Sequence, residues 1–477
     1  MNNPAITPET LLSKHNLYNV FSDEWDYFRQ SYQGGKAYRD ASLLYPYRFE
    51  KEGTGEALLL ERLRQTPLDN HCESALHTYS SFLWKKKPQR DLAELQDDPE
   101  ILALLKDADL EGTPLNEFMR TVQIQAGIYG HAWIVIDKAP HQYNTLAEER
   151  HNGIRPYLVH YAPPNVYDWT IERNSSGAVE TTYLKVVEEE RSRNGEVNKI
   201  VRIWTKESMQ AYRIQGGSNT LETLHNTPNP IGIIPAICHY GRSRLHRGIG
   251  SSEIKDVAKL QQSIYNDLSE LAQTIRNTNH STLVKNPDDD ASGGAGGVVI
   301  MSENTESGKK PYLLQPMLFQ MEGLIKAIEK KEAMINRMTH LAPVRSVRTQ
   351  PQSGEAIKTE FQLLNALLSE MASGLQLTEY RMLEVYCHWL GKTEQAKSLI
   401  IQYPEKFELR DRQQDLNLLK EAGTLTVNSP TFQKELQKLI ASIALEDDAQ
   451  LEEINGEIEG GISAGITQNT TIHASDM

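Results

Sequence analysis

Residues 353–375 read Ser-Gly-Glu-Ala-Ile-Lys-Thr-Glu-Phe-Gln-Leu-Leu-Asn-Ala-Leu-Leu-Ser-Glu-Met-Ala-Ser-Gly-Leu, and this stretch decides the fold. Ser353 caps a helix predicted to run to residue 390, in which Ile357, Phe361, Leu364, Leu368, Met371 and Leu375 step by four and three alternately. Such a helix is on the order of 55 Å long if straight. Ser373 and Gly374 lie in its middle without support from helix propensity, which predicts a kink there. A helix this long seldom belongs to a compact monomer.

Upstream, two further helices are predicted. Ser252 is the N-cap of the first, whose body covers 253–278, with Ile254, Val257, Leu260, Ile264, Leu268, Leu271 and Ile275 marking one buried face. Lys255, Asp256, Lys259, Asp267, Glu270 and Arg276 interleave with them, so the opposite face is solvated or meets another charged surface. The second covers 318–341, with Met321, Leu324, Ile325, Ile328, Ile335 and Met338 on its apolar side. Both are roughly 35 Å long. Methionines 317, 321, 334 and 338 read as helix core or subunit interface.

Between these helices, β runs are predicted over 282–285, 298–301 and 312–314, with Asp288, Asp289, Asp290 and the Gly293-Gly294-Ala295-Gly296-Gly297 run among them. A small sheet at the end of a helical pair follows. After the second helix, 342–353 is a basic loop holding Pro343, Pro351, Arg345 and Arg348, with Pro343 ending the helix.

Working further outward, 8–110 reads as mostly helical, with Glu24-Trp25-Asp26-Tyr27-Phe28 and an acidic helix over 99–106 as the clearest pieces. An amphipathic helix from Leu115 leads into a β-rich block of runs at 133–137, 157–160, 183–187, 199–204 and 209–214, closed by Thr227-Pro228-Asn229-Pro230 and 233–240. After Gly391 the chain reads as helical again to about 444. From 446 to 477 there are eight acidic residues and no Lys or Arg, more than half of the net charge of −14. The last part, 456–477, lacks helix periodicity and reads as disordered; the acidic tail is either simply solvated or repels DNA from a rim.

The chain of 477 residues is long enough for a sizeable core divided among two to four subdomains, and its 39% hydrophobic and 24% charged residues are those of a globular protein. No apolar run approaches the length of a membrane span, and Met1-Asn2-Asn3-Pro4 does not open a signal peptide. Cys72, Cys238 and Cys387 are too far apart for a zinc or disulfide framework and read as buried free thiols. Catalytic motifs are missing. The glycine run lacks a following Gly-Lys-Ser/Thr, neither the His71/His77 nor the His239/His246 pair has metalloprotease spacing, and the Asp288 to Asp290 cluster lacks the rest of a calcium loop.

In its order of elements the chain resembles the portal proteins of tailed double-stranded DNA bacteriophages. Local strings carry the resemblance as well. Ser252-Glu253-Ile254-Lys255 followed by Ser263-Ile264-Tyr265-Asn266 looks like the start of a first stem helix. Ser353-Gly354-Glu355-Ala356-Ile357-Lys358 looks like the entry into a tunnel helix, and Tyr129-Gly130-His131-Ala132 before Trp133 resembles a wing segment. The likeness covers about 25–391.

The resemblance implies an α+β, predominantly helical chain divided into N-terminal helices and wing (1–249), first stem helix (250–280), clip (281–317), second stem helix (318–341), tunnel loop (342–353), long kinked tunnel helix (354–391), helical crown (392–455) and tail (456–477). It implies a closed ring, usually of twelve copies, at one capsid vertex. The genome would enter and leave through this ring, first in the host cytoplasm and then in the virion. Implied partners are double-stranded DNA held without sequence preference, the terminase that supplies the hydrolytic chemistry, the capsid or scaffolding protein and a head-completion protein; no cofactor, metal or membrane is implied. Lys285, Asp288, Asp289, Asp290, Lys309 and Lys310 would lie in the docking clip. Arg345 and Arg348 either touch passing DNA or pair with acids of a neighbouring subunit, and Lys255, Lys259 and Lys330 either line the bore or form surface ion pairs. An acidic chain suits a conduit, because strong phosphate contacts would brake sliding DNA.

Two other classes compete: a non-portal adaptor with coiled-coil helices, against which the polar breaks at Glu332 and Ser373-Gly374 count, and a nucleic-acid enzyme such as a terminase subunit or nuclease, which the missing phosphate loop disfavours.

Overall fold

The computed structural model describes residues 6–51, 55–139, 148–149, 152–218, 220–279, 282–284, 306, 310, 312–314, 318–345, 354–407, 429–444 and 448–460. The fold mixes α and β, and the chain forms two compact units, Met1–Phe407 and Glu408–Met477.

The centre of the first unit is a three-stranded antiparallel sheet in the order Tyr157–Tyr161, His131–Asp137, Ala236–Tyr240. Its middle strand, His-Ala-Trp-Ile-Val-Ile-Asp, is buried at every position. A near-continuous apolar run of this kind belongs to a strand covered on both faces. Helix Leu115–Tyr129 feeds directly into it and ends in Gly130, whose left-handed backbone (φ 92°) turns the chain. The long helix Gly354–Trp389 packs on the same sheet. His239 and Thr378 share a 2.8 Å hydrogen bond across that contact, and Trp389 donates from Nε1 to the Ile136 carbonyl at 3.1 Å.

A second sheet is a five-stranded antiparallel meander of Val166–Arg173, Val179–Arg191, Val197–Thr205, Ser208–Ile214 and Leu221–Pro228. One face buries Val187, Val201, Ile203, Tyr212 and Ile214 together with Leu11 of the N-terminal helix Pro8–Leu11. Facing ion pairs tie the strands elsewhere: Arg213 reaches Glu190 and Glu222, each at 3.1 Å, and Arg202 reaches Glu188 at 3.3 Å. The last strand alternates polar and apolar residues only weakly, whereas the first alternates strictly through Tyr167, Trp169 and Ile171; neither is among the runs expected from the sequence, and both are edges of the sheet.

The N-terminal region is helical as expected, with Asn16–Gln33, Gly35–Asp40, Gly55–Gln65, His71–Leu83 and Pro99–Lys106. The segment after the long helix departs from expectation. It is not uniformly helical: Ile400–Gln402 pairs antiparallel with Gln89–Asp91, so the first unit extends to Phe407. A buried polar set seals this junction. Glu379 of the long helix, fully buried, binds Arg90 with both oxygens and accepts a 2.5 Å bond from the Tyr403 hydroxyl, while Arg90 also donates to Asn116.

In the second unit, helices Pro430–Ala444 and Asp448–Gly460 lie against each other. The second continues to Gly460, past the point where periodicity fades, so 456–460 is helical; 461–477 lie outside the described residues. Gly354–Trp389 is one continuous helix of 36 residues that includes Ser373-Gly374, where the kink is expected. The Ser373 hydroxyl satisfies the Ser369 carbonyl, and Gly374 sits opposite His239, where the helix crosses the sheet. Cys72 and Cys387 are buried and Cys238 is half-buried, all as free thiols.

Candidate functional site: the stem hairpin and its root

Helices Lys255–Asn279 and Leu318–Met338 pack against each other as an antiparallel pair. At its tip, Thr282–Val284 pairs antiparallel with Tyr312–Leu314 in the register Thr282↔Leu314, Leu283↔Leu313, Val284↔Tyr312. The expected 298–301 run lies outside the described residues.

At the root, two glycines let the chain cross itself. A Cβ on Gly250 would lie 1.9 Å from the Gly130 carbonyl oxygen, and one on Gly130 would lie 2.4 Å from that of Gly250. No side chain fits at either position. Just beyond, the Ser252 hydroxyl donates to the Gly127 carbonyl at 3.2 Å and accepts from the Ile254 N–H, the capping role expected of it, while the Glu253 N–H also donates to Gly127. The first stem helix is thus bolted to the end of Leu115–Tyr129.

The polar positions of that helix meet the N-terminal helices. Gln261, fully buried, accepts from the Cys72 N–H and donates to the Ser31 carbonyl, both at 2.9 Å. Asn266 accepts from the Tyr45 N–H and donates to the Leu43 carbonyl, and Glu270 accepts a 2.6 Å bond from the Tyr47 hydroxyl. Beneath them Arg62 forms a two-pronged pair with Glu50 (2.9 and 2.7 Å), donates to Ser269 and lies 4.0 Å from the centre of the Tyr47 ring. Arg62 and Glu50 are both buried, and through the Ser269 hydroxyl Arg62 fastens helix Gly55–Gln65 to helix Lys255–Asn279. Asp267 pairs with Lys331 of the second stem helix.

Where the two stem helices, His71–Leu83 and the long helix converge, a cavity of about 40 Å³ is lined by Tyr79, Arg242, Glu253, Met338, Thr339 and Met371, among others. Burial raises the Glu253 carboxyl to about 7, against the pull of Arg242, and its Oε2 has no hydrogen-bond partner. The Tyr79 hydroxyl donates to the Thr339 carbonyl at 2.7 Å and closes the far end of the second stem helix. That helix stops at Met338, short of 341. His340 takes a left-handed φ of 55°, and Ala342–Arg345 forms one more helical turn, so Pro343 sits inside a turn where a loop was expected.

Arg345 is half-buried, and its guanidinium donates to the hydroxyls of Ser74 (2.6 Å) and Thr78 (3.3 Å). In this chain it therefore holds the start of the loop against His71–Leu83. Lys255, Lys259 and Lys330 are exposed, with no ion-pair partner among the described residues; the first two lie one turn apart near the root and Lys330 lies midway along the hairpin. Lys310 is exposed. Arg348, Lys285, Asp288, Asp289, Asp290 and Lys309 lie outside the described residues.

Away from the root, burial fades. On the second stem helix Ile335 is fully buried and Ile328 is 7% exposed, whereas Ile325 is 42% and Phe319 66% exposed; Ile275 on the first is 41% exposed. The root residues Glu253, Arg242, Arg62 and Glu50 were not legible as a set in the sequence, since nothing in their spacing brings them together. Only the close occurrence of Gly130 after one helix and Gly250 before another hints at a crossing.

Among the described residues no helix is long and apolar enough to cross a membrane. No protein-family model matches the sequence, and no curated protein matches it.

Proposed function

We propose that this chain is the portal subunit of a tailed double-stranded DNA bacteriophage, which closes with copies of itself into a ring around a DNA channel at one capsid vertex. The observation that carries this reading is the hairpin of two long helices, tipped by a two-stranded ladder and followed by a 36-residue helix returning across the central sheet, whose distal apolar side chains Ile275, Phe319 and Ile325 stay exposed. Apolar groups in such a row are stable in water when another surface covers them, and a head-to-tail contact between identical neighbours covers every copy equally once the ring closes.

In this reading the stem hairpins surround the bore, the tip meets the packaging terminase and later the head-completion protein, and the N-terminal helices and sheets meet the shell. Lys255, Lys259 and Lys330 supply sparse positive charge in an otherwise acidic chain, enough for transient phosphate contact without braking the DNA. Arg345 fixes the base of the tunnel loop, leaving Arg348 as the candidate for contact with DNA. The chemical work of packaging belongs to the terminase.

Electron microscopy of the purified full-length chain, with native mass to count subunits, tests the proposal. Rings with an axial hole are expected. A rod or a small closed dimer would overturn the reading in favour of a coiled-coil adaptor.

A further inference from the structure

Glu332 interrupts the apolar pattern of the second stem helix and does not take part in the channel just described. It meets Asp69 and His71 at the start of helix His71–Leu83, and one ligand atom from each of the three lies within 4.8 Å of the other two.

The turn that carries Asp69 and His71 is held by hydrogen bonds. Asn70 between them accepts from the Glu73 N–H, donates to the Tyr32 carbonyl at 2.8 Å, and is followed by a His71 N–H to Asp69 carbonyl bond. His71 Nε2 is 3.3 Å from Asp69 Oδ2, yet this buried nitrogen has no hydrogen-bond partner. With the His71 imidazole neutral and Nε2 unprotonated, this pair presents two lone-pair donors toward one point, an arrangement that suits a bound cation. The Asp69–His71 separation is that of two tetrahedral zinc ligands, which at 2.0–2.1 Å from the metal lie about 3.3 Å from one another, and Glu332, within 4.8 Å of both, would close in on the ion.

Charge points the same way. Glu332 has Asp69 and Glu329 as acidic neighbours and no ion-pair partner among the described residues. Arg345 feels Asp69 but is engaged by the Ser74 and Thr78 hydroxyls. Three acids against one arginine leave room for a divalent charge. One imidazole and two carboxylates, with no thiolate, suit Zn²⁺ or Mn²⁺ better than Mg²⁺, which prefers an octahedron of oxygens. Asp69 is exposed and Glu332 half-buried, so an ion can enter and water can fill the open positions.

We infer that Asp69, His71 and Glu332 form a divalent-cation site of the Zn²⁺ or Mn²⁺ type, which clips the N-terminal helix His71–Leu83 to the second stem helix. The inference does not depend on ring formation.

The test uses the full-length chain without a histidine tag, stripped with a chelator and titrated with ZnCl₂ and, for spectroscopy, CoCl₂. The wild type should take up one Zn²⁺ and melt at a temperature that rises with zinc concentration. Its Co²⁺ form should show ligand-field bands and no thiolate charge-transfer band. Asp69→Asn and Glu332→Gln should each weaken zinc binding by at least about tenfold and abolish the zinc-dependent rise, while melting without metal no lower than the wild type. Failure to bind, equal binding by both variants, or a thiolate band that assigns the ion to the cysteines would overturn the site.

Discussion

The root and the distal half of the stem hairpin are built from the same two helices and obey different rules. At the root, both polar and apolar positions are used: Gln261, Ser269 and Glu253 are buried or enclosed alongside Ile254, Val257 and Ile335, and the backbone crosses itself at Gly130 and Gly250. Toward the tip, the same periodicity continues through Ile275, Phe319 and Ile325, which stay exposed among the described residues. The same apolar periodicity therefore ends in burial only where the N-terminal helices reach it; in the proposed ring, a neighbouring copy would cover the remainder.

The largest effect should come from breaking the root at its tightest point. Gly250→Ala places a Cβ 1.9 Å from a carbonyl oxygen, which no rotamer can relieve, so a loss of at least about 3 kcal/mol, or failure to fold, is expected in denaturant unfolding. Gly323→Ala, on the second stem helix with open space around it, serves as the contrast and should leave stability unchanged or raise it.

Next in size is Arg62→Ala, which leaves Glu50 buried without its partner and should cost about 3–5 kcal/mol. Chemical denaturation of this variant beside a double variant with Glu50→Gln would show part of the loss recovered, because the stranded charge is then removed.

Glu253 gives a pH-dependent effect of intermediate size. Its carboxyl is raised from 4.5 to about 7 by burial, so the folded chain holds a proton that the unfolded chain has released over that interval. Stability contributed by this group is therefore full below about pH 4.5 and falls as pH rises through about 7. Glu253→Gln removes the dependence and should gain about 2 kcal/mol at about pH 8, with little difference from wild type at about pH 5. Buried His131 and His239, lowered to about 3 and about 4, act in the opposite sense as pH falls below 6.5, but their contribution cancels in the comparison of variant with wild type.

The smallest effect on the subunit sharpens the comparison most. Phe319→Ser with Ile325→Ser should change the unfolding free energy of the isolated chain by no more than about 1 kcal/mol, since Phe319 is 66% and Ile325 42% exposed. In the proposed ring the same pair should abolish or strongly weaken assembly, read by native mass and electron microscopy. A marked loss of monomer stability would mean that the distal hairpin is covered within the subunit after all.

How much of this was legible beforehand follows from the range of each interaction. Helix periodicity acts over three and four residues, so the order of helix, small ladder, helix and long helix between 250 and 391, and the continuous apolar strand from Trp133, could be read directly. Edge strand Leu221–Pro228 was missed because a half-exposed strand carries a weak pattern, whereas Val166–Arg173 was legible in the alternation of Tyr167, Trp169 and Ile171 with polar residues. Ser373 and Gly374 have low intrinsic helix propensity, and the helix nonetheless continues through them where it lies beside His239 on the sheet. Arg345 was read as a loop charge, yet its partners Ser74 and Thr78 come from a helix some 270 residues earlier.

By itself, then, the amino-acid sequence determined the main helices between 250 and 391, the N-terminal helices and the central strands, because those properties arise from neighbours within a few residues. Only the tertiary structure decided that Gly130 must meet Gly250, that Arg62 pairs with Glu50 beneath the stem, that Arg90, Glu379 and Tyr403 close the far end, and that Asp69 and His71 face Glu332. These are encounters between segments far apart in the chain, and no local periodicity records them.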